Sequence, residues 1–223
     1  MPNYKLFSFD KVSSTQTVAA ELVASNRATD RTVILAAAQS AGRGRYHREW
    51  VSHHGNLYAS FIYEIASRDP TLSYTIAVAV AETMMSFGID ARIKWPNDIM
   101  VDGKKISGTL IEYSRNFVIV GIGINIKTNP TLHDVGYKTA RMDDYHSGLT
   151  VNEVMSVLIN NIDDWMRRDF AMVRARWTEL ATAIGTEISY QGKSATFCGI
   201  NETGAAILRC GSEYKFVFGN EIG

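Results

Sequence analysis

The sequence predicts an α+β protein, a mixed sheet packed with helices, followed by a small β-barrel. Three observations carry this. Short apolar runs of strand length are interleaved with two helical patterns up to about residue 126. A long amphipathic pattern then spans Val151–Leu180. After Gly185 the texture changes to short strands separated by Gln191-Gly192, Asn201-Glu202-Thr203-Gly204 and Cys210-Gly211. Helix and strand mixed, then strand alone, is the order of an α+β fold with a β appendage. The boundary is expected near 183, giving domains 1–183 and 184–223.

Each element has a local reason. Tyr4–Phe9 alternates weakly and opens as a strand. Ser13 and Gln16 have the spacing of a capping box for a helix running to about Ser25. Thr32–Ala38 is a bounded apolar run, as in a buried strand. Asn56–Ile65 is rich in aromatic and β-branched residues and reads as the next strand. Pro70–Phe87 is Ala/Met/Val-rich and helical, with Gly88 placed to end it. Ile93–Val101 and Lys105–Tyr113 flank Asp102-Gly103, a type I′ hairpin signal. Phe117–Ile126 is a further strand, 127–149 is polar and irregular, and the Val151–Leu180 helix is expected to break near Arg168.

Composition narrows the function classes. The chain has 46% hydrophobic and 21% charged residues, as in an ordinary globule. Its 23 basic and 23 acidic residues cancel, which argues against coating nucleic acid or an anionic membrane. No apolar run approaches the roughly 20 residues that cross a bilayer, and Met-Pro-Asn-Tyr-Lys lacks the layout of a signal peptide. Cys198 and Cys210 are then expected as free thiols in a cytoplasmic protein. The five histidines show no metal-ligand spacing.

Against this neutral background one loop stands out: Gln39-Ser-Ala-Gly-Arg-Gly-Arg-Tyr-His-Arg-Glu-Trp50. Arg43, Arg45 and Arg48 alternate with Gly42, Gly44 and His47. Glycines allow close backbone approach, guanidinium forks match carboxylates and phosphates, and Trp50 offers a flat face. The loop suits a small, highly anionic ligand, although a tetrapeptide of this kind is also found in disordered RNA-binding segments and in plain exposed loops. Three further segments strengthen the ligand reading. Lys94-Trp95-Pro96-Asn97-Asp98 groups a cation, an amide and a carboxylate, or is simply a turn. Lys104-Lys105-Ile106-Ser107-Gly108-Thr109-Leu110-Ile111-Glu112 carries lysines just past the hairpin and a glycine where a ligand could press on a strand, or is a bland edge strand. Gly121-Ile122-Gly123-Ile124-Asn125 lacks the third glycine of a dinucleotide fingerprint. Its glycines fit a floor under a flat ligand, or a β-bulge.

In this order, over roughly residues 8–126, the four segments resemble the catalytic domain of the biotin protein ligases, a fold of the class II aminoacyl-tRNA synthetase type. The tail resembles that family's small SH3-like barrel. The resemblance implies a two-step acyl transfer. Biotin carboxylate attacks the α-phosphorus of ATP to give biotinyl-adenylate and pyrophosphate. A lysine of a biotin carboxyl carrier protein or carrier domain then displaces AMP. Magnesium is implied with ATP and not as an ion held by protein side chains.

By family position Lys105 meets the biotin carboxylate and the α-phosphate, and Arg48 faces the departing pyrophosphate. Arg43 and Arg45 supply further positive charge from the Gly42/Gly44 loop. Trp50 stacks on adenine and Asn125 bonds its edge. Ser14, Thr15 and Gln39 match the contacts to the ring urea, and Asn97 the phosphate region. Gly108 and Gly123 leave room for the ligand. Asp98 lies near the incoming lysine, whose ordinary pKa of ~10.4 costs about 4–5 kcal/mol at neutral pH if nothing assists deprotonation.

Two departures qualify this. The family commonly runs Gly-Arg-Gly-Arg-Arg-Gly-Arg, whereas here Tyr46-His47 replaces the middle pair, so the loop is expected to be less basic and less mobile. The chain also begins just ahead of the catalytic motifs, so the DNA-binding domain of some family members, and DNA binding with it, is not expected. A homodimer, the identity of the carrier and the role of the barrel stay open. So do two rival readings, a lipoate or octanoate ligase of the same fold and a non-catalytic biotin-binding module.

Overall fold

The computed structural model describes residues 4–130 and 138–218. β1 (Lys5–Val12), α1 (Thr15–Ala24) and β2 (Thr32–Gln39) form a parallel βαβ unit. β3 (Leu57–Glu64) returns antiparallel to β2 and is followed by α2 (Leu72–Ser86). β4 (Arg92–Lys94), β5 (Asp98–Val101), β6 (Lys104–Ser114) and β7 (Phe117–Ile124) complete a seven-stranded sheet of order β1-β2-β3-β7-β6-β5-β4. α3 (Val151–Met166) and α4 (Phe170–Leu180) then lead into a second antiparallel sheet. Its strands are β8 (Glu187–Tyr190), β9 (Lys193–Ile200), β10 (Ala206–Cys210) and β11 (Glu213–Val217), in the order β11-β10-β9-β8. The predicted fold class therefore holds.

The apolar runs are strands because both faces of the sheet centre are covered. α1 lays Ala19, Leu22 and Val23 on Ile34, Ile62 and Ile119. The opposite face carries Val33, Phe61, Val118 and Val120, in one cluster with Ile76 and Val80 of α2 and Leu158 and Ile162 of α3. Each buried Val, Leu, Ile or Phe among them contributes about 1.5–3 kcal/mol. The C-terminal sheet joins the same cluster through Phe197, Ala206 and Leu208.

The turns follow the sequence signals. Asp102 (φ 50°) and Gly103 (φ 70°) make the left-handed pair that the hairpin needs. Thr150 and Glu153 close a capping box on α3, and Asp169 caps α4 by accepting from Met172 N–H, which is why the predicted long helix breaks beside Arg168.

Apart from element ends that shift by one or two residues, three local expectations are not met. β1 runs on past Phe9 because Lys11 and Val12 still pair with Ala38 and Gln39. The strand expected over Ile93–Val101 is two strands, since the 95–97 turn folds β4 back onto β5 with Lys94 opposite Asp98. The capping box expected from Ser13 and Gln16 does not form. Ser14 is the N-cap, and the Gln16 side chain turns inward to donate to Ile119 O at 3.2 Å. Within the irregular 127–149 stretch, residues 131–137 lie outside the described residues. Among the described residues no helix is long and apolar enough to cross a membrane.

Candidate active site

The registers put a row of small residues on the sheet face that α1 only half covers. Directly paired residues share a face. Ser60 pairs with Gly121 and Gly121 with Leu110; Tyr58 pairs with Gly123 and Gly123 with Gly108. The ladder is regular here, so the two glycines of β7 make a floor and not a bulge. The flat group lying on that floor is the chain's own Trp50. A Cβ at Gly123 would stand 2.6 Å from the indole Nε1, and one at Gly108 would stand 3.0 Å from its Cζ3. A Cβ at Gly121 would stand 2.7 Å from Gln16 Oε1. None of these positions accepts a side chain without displacing its neighbour.

One end of this trough is neutral and polar. Gln39 Oε1 accepts from the Thr15 backbone N–H at 2.8 Å and from its hydroxyl at 3.2 Å. Gln39 Nε2 donates to Ser52 Oγ at 2.8 Å. The Ser60 hydroxyl lies 2.9 Å from both Thr15 Oγ1 and Gln16 Oε1. Ser14, Thr15 and Gln16 are all buried at the start of α1. Charged groups take no part in this network, and buried polar groups of this kind suit a neutral ligand with its own donors and acceptors.

The other end is charged. Lys105 Nζ lies 2.7 Å from Asp98 Oδ1 and over the Trp50 ring, 5.5 Å from its centroid. A bulge places Lys105 there. Ile99 pairs with Ser107 but Met100 with Lys105, so Ile106 is one residue extra. Strand alternation would put residues 105 and 108 on opposite faces. With the extra residue, Lys105 Nζ lies 3.2 Å from where a Gly108 Cβ would be. Asn97, buried, donates from Nδ2 to Thr109 Oγ1 at 2.7 Å and accepts from Arg45 NH1 at 3.1 Å.

The 39–50 loop is folded onto the floor as a small hairpin. Gly42 O accepts from Trp50 N–H at 2.9 Å, and Arg48 O from Gly44 N–H at 2.8 Å. Gly42 is required, because a Cβ would come 2.2 Å from Trp50 O. Arg43 pairs with Glu112 at 2.8 Å, while Arg48 is exposed at the rim. Tyr46 takes a left-handed conformation (φ 56°), and its hydroxyl accepts from Arg45 NH2 at 3.1 Å. Tyr46 is thus a partner of Arg45, whose guanidinium also lies over its ring, 5.2 Å from the centroid.

Asn125 is reached from a segment without a sequence signal. Lys105 N–H donates to Lys138 O, Ala140 N–H to Lys105 O, and Met142 N–H to Asn125 O. Asn125 Nδ2 donates to Ala140 O at 3.0 Å, which fixes the amide and leaves Oδ1 buried and unpartnered. Trp50 Nε1 is likewise buried and unpartnered. One buried acceptor and one buried donor are therefore unsatisfied at this site.

Thr15, Gln39, Trp50, Lys105, Asp98, Gly108 and Gly123 are brought together by these contacts, Arg45 and Asn97 adjoin them, Ser14 is buried at the N-cap of α1, Asn125 lies against Ala140 O, and Arg43 and Arg48 are exposed. Sequence reasoning missed Gln16, Ser52 and Ser60. Only Ser60 left a trace, as a hydroxyl inside the otherwise apolar run Leu57–Tyr63. Among the described residues no three of His, Cys, Asp and Glu are grouped to hold a metal ion.

Residues 8–129 match the model of the biotin/lipoate A/B protein ligase family. The chain is 31% identical to the bifunctional ligase/repressor BirA of Bacillus subtilis, over 97% of this chain and 73% of that protein. It is 32% identical to the biotin–[acetyl-CoA-carboxylase] ligase of Paracoccus denitrificans, over 79% of this chain and 83% of that protein. The structure of the biotin protein ligase from Aquifex aeolicus in complex with biotin and ATP superposes with a TM-score of 0.87 at 25% identity, over 98% of this chain and 97% of that one.

Proposed function

The chain belongs to the biotin/lipoate A/B protein ligase family, and we propose that it is a biotin–protein ligase. In this reading it activates biotin with ATP and transfers it to a lysine of a carboxylase carrier protein. The observation that carries the reading is the polarity of the trough. Its Thr15/Gln39/Ser60 end is neutral and hydrogen-bonding, and its Lys105/Arg45 end is cationic. Biotin has the same polarity, a neutral urea at one end and a carboxylate at the other. Lipoate has a dithiolane in place of the urea and offers Thr15, Gln39 and Ser60 no donor or acceptor, so it gains none of the hydrogen bonds that this end can make to a urea.

In the first step a biotin carboxylate oxygen bonds to the α-phosphorus of ATP and the bond to the β-phosphate oxygen breaks. Two anions approach each other, so fixed positive charge is needed as charge builds at phosphorus. Lys105 supplies it at the carboxylate and α-phosphate, Arg45 is held at the phosphates by Asn97, and Arg48 receives the pyrophosphate at the rim. Magnesium would enter on the ATP phosphates and lower their charge. Trp50 offers its ring to adenine, and Asn125 Oδ1, an acceptor, matches the adenine amino group.

In the second step the carrier's lysine nitrogen attacks the acyl carbon. The carbon–oxygen bond to AMP breaks, and the amine proton leaves toward Asp98. Folding of the 39–50 loop over the adenylate keeps water from the anhydride.

The test is transfer. With ATP, magnesium and biotin, the purified protein should place one biotinyl group on one lysine of a biotin-accepting carrier domain, read by intact mass, with release of AMP. An unmodified carrier, with biotin bound to the protein, would favour the binding-module reading instead.

A further inference from the structure

The turn bearing Asn97 and Asp98 is held from behind by residues outside the catalytic strands. Trp177 of α4 is fully buried and donates Nε1–H to Pro96 O at 3.1 Å. The Tyr74 hydroxyl, on α2, accepts from Trp95 Nε1 at 3.2 Å and donates to Gly204 O at 2.8 Å. Gly204 lies in the turn between β9 and β10, and a Cβ there would stand 3.1 Å from the Tyr74 ring. Phe197 of β9 packs on both indoles, with its ring centre 6.3 Å from that of Trp95 and 6.4 Å from that of Trp177. Tyr74 meets Trp177 edge-on at 5.4 Å. Burial raises the Tyr74 pKa, so the hydroxyl keeps the proton it donates.

The Tyr74 hydroxyl thus joins the C-terminal sheet to Trp95 by hydrogen bonds, beside the packing of Phe197 on the Trp95 ring. Two residues further on, Asn97 holds Arg45, and the next residue, Asp98, holds Lys105. The geometry points to Tyr74 as a positioning residue for the ligation chemistry, through which the C-terminal sheet sets the place of the 95–98 turn. This rests on the ligase reading for its chemistry and on the hydrogen bonds alone for its geometry. Tyr74 acts through Trp95 and not on substrate. Removing the hydroxyl leaves the Trp95 N–H and the Gly204 carbonyl without their partner, so the turn shifts to satisfy them. The Thr15/Gln39/Ser60 end has no part in this chain of contacts.

The test uses Tyr74→Phe, with Trp177→Phe as a second variant that removes the donor to Pro96 O and keeps an aromatic ring. Both are read at a temperature where they are folded. The amide resonances of Asn97 and Asp98 should move while those of Ser14 and Thr15 stay. The kcat of biotin-dependent pyrophosphate exchange should fall about tenfold or more, toward the roughly hundredfold that a 1 Å misplacement of catalytic groups can cost. Biotin affinity by calorimetry should stay within about twofold, since no contact to that end is lost. Variants that melt lower but turn over at the wild-type rate per folded molecule overturn the inference. So does a biotin affinity that falls in step with turnover, or an unmoved pair of resonances. Failure of the wild-type protein itself to exchange contradicts the ligase reading instead, and the resonance shifts then still decide the coupling.

Discussion

Lys105 Nζ stands 2.7 Å from Asp98 Oδ1, so the cation proposed for adenylation and the carboxylate proposed for transfer form one ion pair. Each holds the other in place before substrates arrive. Two anionic substrates would draw Lys105 toward the phosphate and leave Asp98 to meet the incoming amine.

Replacing Lys105 by Ala should therefore reduce biotin-dependent pyrophosphate exchange about a hundredfold or more, the usual scale for losing a group aimed at developing charge. Thermal stability should change little, because the pair is only partly buried. Asp98→Asn should slow single-turnover transfer from preformed adenylate more than it slows exchange. Exchange falling as far as transfer would show that Asp98 serves mainly to hold Lys105.

The glycine floor makes a steric prediction. Gly123→Ala puts a methyl 2.6 Å from the indole, so Trp50 must leave the floor. Overpacking of this kind costs about 1–3 kcal/mol. Iodide quenching of tryptophan emission should rise and exchange should fall. Unchanged quenching with unchanged exchange would mean that Trp50 does not rest on Gly123 in solution.

Arg45 donates to Asn97 and to Tyr46, which ties the 39–50 loop to the 95–98 turn. Arg45→Gly should loosen retention of the adenylate, seen as biotinylation of bystander lysines when other proteins are added. Labelling that stays confined to the carrier removes Arg45 as a retaining contact.

The strand pattern, the Asp102-Gly103 hairpin and the four motif segments were legible because each is a local signal. What was not legible depends on register. Nothing in Lys104–Glu112 announces that Ile106 is an extra residue, yet that bulge brings Lys105 to the face of Gly108. Gln16 has the spacing of a helix cap, but the buried Ser60 hydroxyl and the Ile119 carbonyl claim its side chain from strands far along the chain. Trp50 on Gly123 and Ala140 on Asn125 are likewise long-range contacts without a local sequence signature.

A second network, away from the site, predicts alkaline sensitivity. Tyr4 donates to buried Asp163, which also pairs with Arg31 at 2.7 Å. Burial, first, and the Asp163 carboxylate push the Tyr4 hydroxyl up to about 12 from its usual 10.0. A raised folded-state value means the folded form holds the proton longer. The stability it contributes is complete below about pH 10 and is lost as pH rises toward about 12. Urea midpoints measured from pH 8 upward should fall more steeply above pH 10 for the wild-type protein than for Tyr4→Phe. Equal slopes would show that Tyr4 titrates alike in both states.

Pyrophosphate–ATP exchange with the purified protein, comparing biotin, lipoate and no acid, tests the central claim most directly. Label should pass from pyrophosphate into ATP with biotin alone. Exchange with lipoate and not biotin would contradict the substrate assignment, and no exchange with either acid would contradict acid activation at this site.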